Sequence, residues 1–540
     1  MNLRNSNIER LASGNYDVLI IGGGINGAVS AAALSGRGVK VALIDRDDFA
    51  SGTSSESSNL AWGGIKYMES YNFLLVNNLC KSRNHLMKNY PSTVKEIRFM
   101  TTIAKGFRYP AFMIYLGAWL YWVFGRFVTK IPSYHSVSNL MQFEPIINTR
   151  NAQGGLEYSD CYLHDNDARF VFNFVRTAMN YDCIAANYVE SMGSKRENGV
   201  WVTSVKNTLT SETFEIRSKV LINACGPWVD KHNLLTGQKT EHRHLFSRGV
   251  HLIVDKLTDN KRVLAFFASD GRLFFIIPMG PTTCIGTTDD QVDQPETEVT
   301  DKDRDFILDN VNALLDLKQP LTKASIIAER CGVRPLAQKG SGGGVADWVK
   351  LSRKHAIDVN HKDRHLSIFG GKLTDSLNVG NEVADIVKQL GIDIPFPKKK
   401  WYGEPDKSVH EEFLHQARLM GLDEMTDPAS SELLTSRLWR RYGANALEIL
   451  EGIREHPERS KLLIEKAEYL RGEIELAARR EMITKLEDFL RRRSKISLVV
   501  RQEDLIDAPG LKKACEVFFG DEADEKLAEY FREHSFSIPT

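Results

Sequence analysis

The sequence predicts an α/β protein with three parts: a Rossmann-type domain, a second domain built on an antiparallel sheet, and a C-terminal helical domain. Three observations support this prediction. A glycine turn follows an aliphatic run near the N-terminus, short β-rich runs fill the middle of the chain, and the last section is rich in Glu, Lys, Arg, Ala and Leu at helical spacing. At 540 residues, the chain is long enough for about three domains.

The N-terminal pattern is that of one βαβ unit. Residues 18–21 are aliphatic and are ended by glycine, which favours a short buried parallel strand over a helix. The small residues of 25–37 predict a helix that packs closely on a sheet, and residues 39–44 return to strand composition.

Gly22, Gly24 and Gly27 fit the spacing G-x-G-x-x-G within this unit. The first glycine allows a sharp turn, the second lets a pyrophosphate approach the backbone, and the third lets the helix pack tightly. Asp45 ends the second strand, where an acid can bind ribose hydroxyls. The pattern therefore predicts a dinucleotide site rather than a turn without a ligand.

The rest of the chain divides into two regions of different character. Residues 247–289 alternate short β-rich runs with turn residues, which predicts an antiparallel sheet. Beyond about residue 399 the composition predicts a helical domain. Its run Arg491–Arg493 has acidic neighbours, so we expect a solvated charged face, with contact to anionic lipid as the alternative.

Charge and cysteine content exclude several classes of protein. Lys plus Arg and Asp plus Glu both number 70, so no overall charge favours nucleic acid. The cysteines lack disulfide or metal-ligand spacing, so we expect reduced thiols, a cytosol-facing protein and no metal site. They are Cys80, Cys161, Cys183, Cys225, Cys284, Cys331 and Cys515. The first ten residues lack the apolar core of a signal peptide.

One segment, 111–124, is uncharged and aromatic and lies between Arg108 and Arg126. As a helix it would be about 21 Å long, too short for the roughly 30 Å hydrocarbon core of a bilayer. Its aromatic residues and flanking cations suit a helix that lies in the headgroup interface. A buried core helix remains the alternative.

Seven motifs occur in an order that resembles the FAD-dependent glycerol-3-phosphate dehydrogenases of aerobic respiration. They cover nearly all of the chain up to about residue 385, and the helical C-terminal part is compatible. The motifs are DVLIIGGGINGA, the serine-rich loop running into GGIKYME, EYSDC, NACGPWVD, IGTTD, CGVRPL and FGGKLT.

The resemblance implies an FAD site. It places the pyrophosphate at the glycine turn and the adenosine ribose at Asp45, and it predicts further contacts along the cofactor from the serine loop, NACGPWVD and FGGKLT. These further contacts are Ser54, Ser55, Ser58, Gly226, Trp228, Gly370, Gly371 and Lys372.

The same resemblance implies the substrate glycerol 3-phosphate, which loses a hydride from C2 and a proton from its hydroxyl. Such chemistry needs a phosphate clamp and a proton acceptor. His251 is the candidate base, with Arg334 or a water as alternatives, and Arg334 and Lys372 are expected beside substrate and flavin. The predicted substrate contacts are Lys66, Tyr67, Arg353 and Thr374.

Three positions depart from the family pattern. Asn59, Trp62 and Lys66 stand where members usually carry Lys, His and Arg. Lys66 keeps a charge without the planar fork with which arginine grips phosphate, and Trp62 cannot titrate. These departures bear on the substrate more than on the cofactor.

The resulting expectation is oxidation of sn-glycerol 3-phosphate to dihydroxyacetone phosphate, with electrons passed to ubiquinone or menaquinone at the cytoplasmic membrane surface. The alternatives are a flavoprotein oxidase or dehydrogenase for another small hydroxy or amino acid, a non-catalytic flavin-binding scaffold, and a soluble cytoplasmic location. A homodimer is compatible with this prediction, and nucleic acid is not an expected partner.

The predicted domains interleave. Residues 1–385 hold the FAD-binding segments (about 15–75, 160–230 and 330–385) and the substrate-domain segments (about 76–159 and 231–329), and residues 400–540 form the helical domain.

Overall fold

A computed structural model describes residues 3–340, 354–428, 430, 432–464 and 467–534 of the chain. The strands in these ranges are β1 (Asn15–Ile21), β2 (Val41–Ile44), β3 (Leu60–Ala61), β4 (Val94–Ala104), β5 (Ser133–His135), β6 (Ala152–Leu163), β7 (Ile184–Ala186), β8 (Val189–Glu197), β9 (Val200–Asn207), β10 (Thr213–Asn223), β11 (His242–Asp255), β12 (Arg262–Phe267), β13 (Leu273–Met279), β14 (Thr282–Gly286), β15 (Asp290–Val292), β16 (Ile326–Lys339), β17 (Ala356–Asn360), β18 (His365–Phe369), β19 (Leu462–Ile464) and β20 (Tyr469–Leu470).

The helices of the described ranges lie around and between these strands. They are α1 (Leu3–Ser13), α2 (Ile25–Ser35), α3 (Phe73–Asn89), α4 (Ala111–Phe124), α5 (Val137–Phe143), α6 (Asp167–Met179), α7 (Val229–Leu235), α8 (Asp301–Leu314), α9 (Ser376–Gln389), α10 (Lys407–Leu419), α11 (Leu434–Tyr442), α12 (Ala446–Glu455), α13 (Arg471–Arg480), α14 (Ile496–Val499), α15 (Gln502–Ile506), α16 (Pro509–Phe519) and α17 (Ala523–Glu533).

The first sheet holds the predicted βαβ unit. Its strand order is β17-β18-β10-β1-β2-β7, and the five strands from β18 to β7 run parallel. Val18, Leu19 and Ile20 are fully buried because helices cover the sheet. Helix α2 packs against α6 and α9 over this core, and the alanines of α2 allow the close approach.

The second sheet has ten strands, in the order β15-β11-β14-β13-β12-β4-β6-β3, with β16 beside β11 and β5 beside β6. Its pairs are antiparallel except for β12 with β4, which run parallel. The predicted fold class is therefore confirmed: a Rossmann-type domain, a mainly antiparallel second sheet and a helical C-terminal part.

Two stretches of the predicted FAD-binding segments lie in the second sheet. Strand β16 pairs with β11 along nearly its whole length, so residues 330–339 are part of this sheet. Strand β3 also joins this sheet, through β6.

The run Arg491–Arg493 lies in a π-helical turn that spans Asp488–Arg493 and is not a solvated face. Arg492 and Arg493 are buried, and both contact the carboxylate of Asp48 at 2.7 Å. The expectation of a solvated face or a lipid contact is wrong, because the partner carboxylate comes from the other end of the chain.

Helix α4 covers the uncharged segment 111–124. Ala118 and Tyr121 are buried, whereas Phe112 is 69% exposed and Leu116 is 65% exposed. The helix is thus buried along one side only. Of the helices in the described ranges, none combines the length and the hydropathy that a bilayer crossing requires.

Candidate active site

A cavity of about 1030 Å³ is lined by residues of both sheets and of the loops between them. Most of the sequence-predicted site residues line it: Gly22, Gly24, Asp45, Ser54, Ser58, Lys66, Tyr67, Gly226, Trp228, His251, Arg334, Gly370, Gly371, Lys372 and Thr374. Residues more than 300 positions apart in the chain therefore share one cavity.

The remaining predicted residues lie elsewhere. Gly27 lies behind the turn, where its role is packing. Ser55 is buried, and its hydroxyl donates to the carbonyl of Gly52 at 3.1 Å instead of facing the cavity. Arg353 lies outside the described residues.

The glycine turn at the start of α2 leaves no room for side chains. Gly22 has φ +103°, and a Cβ there would overlap the carbonyl of Ala224. A Cβ at Gly27 would overlap the carbonyl oxygen of Gly22. The turn therefore brings bare backbone and a helix N-terminus to the cavity, which is the arrangement that binds a pyrophosphate.

Asp45 supports this turn as well as lining the cavity. Its carboxylate accepts hydrogen bonds from the N–H groups of Gly23, at 2.6 Å, and Asp47, at 3.1 Å. Burial raises the pKa of Asp45 to about 7, although both hydrogen bonds act to lower it. A partly buried acid of this kind is suited to accept hydrogen bonds from ribose hydroxyls.

The serine loop, residues 51–59, is hydrogen-bonded to distant parts of the chain. Ser54 Oγ accepts from the N–H of Ile25 at 3.0 Å, at the first residue of α2. Arg491 donates to the Ser55 carbonyl at 3.1 Å and to the Glu56 carboxylate at 2.7 Å. The C-terminal helical region thus holds the loop that lines the cavity, a role that nothing near Arg491 in the sequence indicates.

The loop after β18 also lines the cavity, although it is far from the glycine turn in the sequence. Gly370 and Gly371 have positive φ values of 61° and 108°. The Asn26 side chain donates to the Gly370 carbonyl at 2.9 Å, so the first residues of α2 hold this loop directly. Sequence reasoning missed Asn26, because it occupies one of the unspecified positions of G-x-G-x-x-G.

His251 is the most buried group among the candidate catalytic residues. It is 2% exposed, and neither ring nitrogen has a hydrogen-bond partner among the described residues. Burial, together with the charges of Arg334 and Arg330, lowers the pKa of His251 to about 3. The imidazole is therefore neutral at neutral pH, and one ring nitrogen carries a lone pair that can accept a hydrogen bond from a substrate hydroxyl.

Cationic groups share the cavity with His251. Lys372 Nζ donates to Tyr67 Oη at 3.1 Å. Arg334 donates to the Asp289 carboxylate and to Thr287 Oγ1, both at 3.3 Å. Two side chains that can bind an anion are thus held by polar neighbours, which reduces the reorganisation needed when a charged substrate binds.

The three positions that depart from the family pattern differ in their surroundings. Lys66 is exposed and lines the cavity, and Trp62 packs beside Tyr67 with ring centroids 6.1 Å apart. Asn59 is buried, and its side-chain oxygen accepts from Arg330 at 3.3 Å. A buried cation therefore lies next to the position where the family usually has lysine.

A family model described as FAD dependent oxidoreductase matches residues 17–349. The chain belongs to this family. A second model, the C-terminal domain of alpha-glycerophosphate oxidase, matches residues 410–512. The cavity, the glycine turn and Asp45 fit the cofactor of this FAD-dependent family, and the cofactor of the protein is FAD.

Two similar proteins indicate which members of this family the chain resembles. D-erythritol 1-phosphate dehydrogenase of Brucella abortus is 30% identical over 499 residues, which cover 89% of this chain and 94% of that protein. Glycerol-3-phosphate dehydrogenase of Pseudomonas tolaasii is 30% identical over 516 residues, covering 91% and 93%.

A solved structure indicates the same family as these relatives. Glycerol-3-phosphate dehydrogenase from Bacillus halodurans, complexed with FAD, is 25% identical, with a TM-score of 0.72 and coverage of 98% of this chain and 96% of that chain. The resemblance found in the motifs is confirmed: the chain belongs to the FAD-dependent glycerol-3-phosphate dehydrogenase family.

Proposed function

We propose that the protein oxidises sn-glycerol 3-phosphate at C2 to dihydroxyacetone phosphate and passes the electrons to a membrane quinone. The observation that carries this proposal is the cavity in which neutral His251 lies with Arg334 and Lys372. An anionic polyol phosphate needs cations for its phosphate and a neutral base for its hydroxyl proton, and this cavity contains both.

Each of these side chains has a distinct task in the proposed reaction. When FAD is bound, it would supply the acceptor for the hydride that leaves C2. His251 accepts the hydroxyl proton as the C–O bond becomes a carbonyl. Arg334 and Lys372 stabilise the negative charge that develops on this oxygen, and Lys66 and Tyr67 bind the substrate near the mouth of the cavity. Arg353 is a further phosphate contact proposed from the resemblance.

The remaining cavity residues are proposed to bind the cofactor. Ser54, Ser58, Gly226, Trp228, Gly370 and Gly371 join the glycine turn and Asp45 in this role, and Thr374 lies next to the substrate. Ser55 acts through the shape of its loop, because its hydroxyl is directed to the Gly52 carbonyl.

The proposed electron acceptor follows from the position of α4. Tyr71, Leu75 and Arg108 line the cavity, and α3, which begins at Phe73, packs against α4. The first turn of α4, which follows Arg108 closely in the chain, therefore lies near the cavity. A helix of this kind, bound in the headgroup interface at the cytoplasmic face of the membrane, would bring the flavin close to a lipid-soluble acceptor.

A phosphorylated four-carbon polyol is the second candidate substrate. It is favoured by the departures at Asn59, Trp62 and Lys66 together with the similarity to D-erythritol 1-phosphate dehydrogenase. Both candidates share the phosphate and the secondary hydroxyl, so the same residues serve either reaction.

The test is anaerobic reduction of the bound flavin by a panel of compounds. We expect glycerol 3-phosphate to bleach the flavin fastest, with erythritol 1-phosphate, glycerol and small hydroxy or amino acids as comparisons. Faster bleaching by erythritol 1-phosphate would select the second candidate. Bleaching by an unphosphorylated compound alone would overturn the proposal, and peroxide formation with oxygen as sole acceptor would contradict the quinone.

Two variants tie the reaction to the cavity. Arg334→Ala should lower the turnover number about a hundredfold while FAD stays bound, because a preorganised donor to the developing charge is lost. Lys66→Arg should lower KM for the true substrate with little change in kcat, because the phosphate is bound equally in the ground and transition states. A raised KM in Lys66→Arg would show that the phosphate is bound elsewhere.

A further inference from the structure

A buried arginine lies directly behind the serine loop. Arg330 is 1% exposed, and its guanidinium donates to the carbonyl of Ser57 and to the side-chain oxygen of Asn59. The nearest described carboxylate is that of Asp167, at 3.9 Å. The cation is thus directed mainly at a loop carbonyl instead of forming a close ion pair.

The residue it contacts is held at both of its backbone polar groups. The N–H of Ser57 donates to the buried carboxylate of Asp167 at 2.8 Å, while its carbonyl accepts from Arg330. A negative group at the N–H and a positive group at the carbonyl fix this residue more firmly than neutral partners would, since charge-assisted hydrogen bonds are about twice as strong.

Because a trans peptide directs its N–H opposite to its carbonyl, the other end of the same peptide unit points away from Arg330. The carbonyl of Ser57 and the N–H of Ser58 belong to one peptide group, and Ser58 lines the cavity. Among the described residues, no acceptor bonds to the N–H of Ser58. A cation on the carbonyl polarises the peptide and makes this N–H a stronger donor.

The strand register places this peptide near His251, the proposed base. Arg330 on β16 is the direct partner of His251 on β11. Two residues along β16, on the same face, Gly332 lies against Glu56 so closely that a Cβ would be 2.7 Å from the Glu56 Cβ. Two further along, Arg334 lines the cavity. One face of β16 therefore contacts the serine loop and also lies beside His251.

We propose that Arg330 is a positioning residue that fixes and polarises the Ser57–Ser58 peptide, so that the Ser58 amide donates to the bound flavin and favours its reduced form. No residue of this peptide acts on the substrate. This inference rests on the proposed flavin site, and it extends that site to a side chain that does not line the cavity.

The test compares two variants of Arg330 by the midpoint potential of the bound flavin, measured by equilibration with a redox dye. Arg330→Met should retain FAD but lower the equilibrium constant for reduction about tenfold, which is about 30 mV for a two-electron couple. Arg330→Lys keeps the charge and should show less than half of this shift. Because the dye replaces the substrate, a wrong substrate assignment would not affect the result.

A matched control removes another buried arginine that donates to carbonyl oxygens. Arg4 on α1 bonds Asn187 and Tyr188 carbonyls and lies off the cavity. Arg4→Met should leave the potential unchanged. If Arg330→Met keeps the wild-type potential, Arg330 only fills the core and the proposal is overturned. If Arg330→Met does not fold, Arg330→Gln takes its place, and equal potentials for Arg330→Gln and Arg330→Lys overturn the proposal.

Discussion

Helix α4 and the run Arg491–Arg493 both lie in surroundings that their compositions alone do not suggest. The uncharged helix exposes Phe112 and Leu116 along one side, whereas two of three consecutive arginines are buried. Burial alone would raise the pKa of Asp48, but Arg493 and Arg492 outweigh it and hold the pKa below its usual value. A charged run becomes interior when a distant carboxylate neutralises it, and an apolar helix stays exposed where no described segment covers it.

The largest effect is expected from removing the carboxylate at the centre of the buried cluster. Asp48→Asn leaves Arg492 and Arg493 without their shared partner, and breaking a buried ion pair in this way costs about 3–5 kcal/mol. The measurement is the free energy of unfolding in urea at fixed FAD concentration. The control is Asp316→Asn, which breaks the exposed pair with Arg150 and should cost about 0.5 kcal/mol or less. Equal costs would remove the contrast between buried and surface charge.

The second prediction concerns the exposed side of α4. Replacing both Phe112 and Leu116 by Glu should weaken binding to phospholipid vesicles about a hundredfold, or about 2.7 kcal/mol, because two apolar side chains lose their burial in lipid. Cosedimentation measures the binding, and flavin content checks the fold. Leu234→Glu on α7, where the side chain is 82% exposed, should leave binding unchanged. Wild-type protein that does not bind vesicles would contradict the interfacial role of α4.

A third prediction concerns the pH dependence of stability. It rests on His355, a buried cation just before β17. Burial lowers the pKa of His355, but hydrogen bonds to Asp375 and Glu382 outweigh it and raise the pKa to about 9. Since the unfolded pKa is about 6.5, this stabilisation is complete below pH 6.5 and is lost as pH rises through 9.

The free energy of unfolding should therefore fall by about 2 kcal/mol between pH 6.5 and 9 through this residue. In His355→Gln the fall over the same interval should be smaller by about this amount, because Asp45 and the other titrating groups still contribute. Urea unfolding at several pH values measures both slopes, and parallel curves for the two proteins would show that His355 is not charged in the folded state.

The smallest effect is expected from a flanking cation of α4. Arg126 is exposed just after the helix, and each arginine near an anionic membrane contributes about 1 kcal/mol. Arg126→Gln should weaken binding to vesicles that contain anionic lipid about fivefold and leave binding to neutral vesicles unchanged. An equal loss on both kinds of vesicle would indicate a disturbed helix end instead of an electrostatic contribution.

Residues that act through their own neighbours in the chain were predictable. Gly22, Gly24 and Asp45 form a local pattern whose spacing alone indicates a nucleotide site, and α4 has the bounds that its composition predicts. The family motifs extended the prediction to the loop after β18, where Gly370 and Lys372 line the cavity.

Contacts between distant segments were not predictable, because no local pattern records them. Asn26 meets Gly370 across 344 residues, and Arg330 meets Ser57 across 273. The arginine run was misjudged for the same reason: its nearest acids in the sequence suggested a solvated face, while Asp48 lies 445 residues from Arg493. A single sequence shows which residues carry charge, but not which carboxylate will neutralise them.

The contact between Arg491 and Glu56 has a consequence for biosynthesis. The two residues are 435 positions apart, and a ribosome adding about 5–20 residues per second needs roughly 20–90 s to make the intervening chain. A nascent chain therefore has its glycine turn long before the arginine that holds the serine loop. Until Arg491 has been synthesised, the carbonyl of Ser55 and the carboxylate of Glu56 lack the guanidinium that binds them in the complete protein.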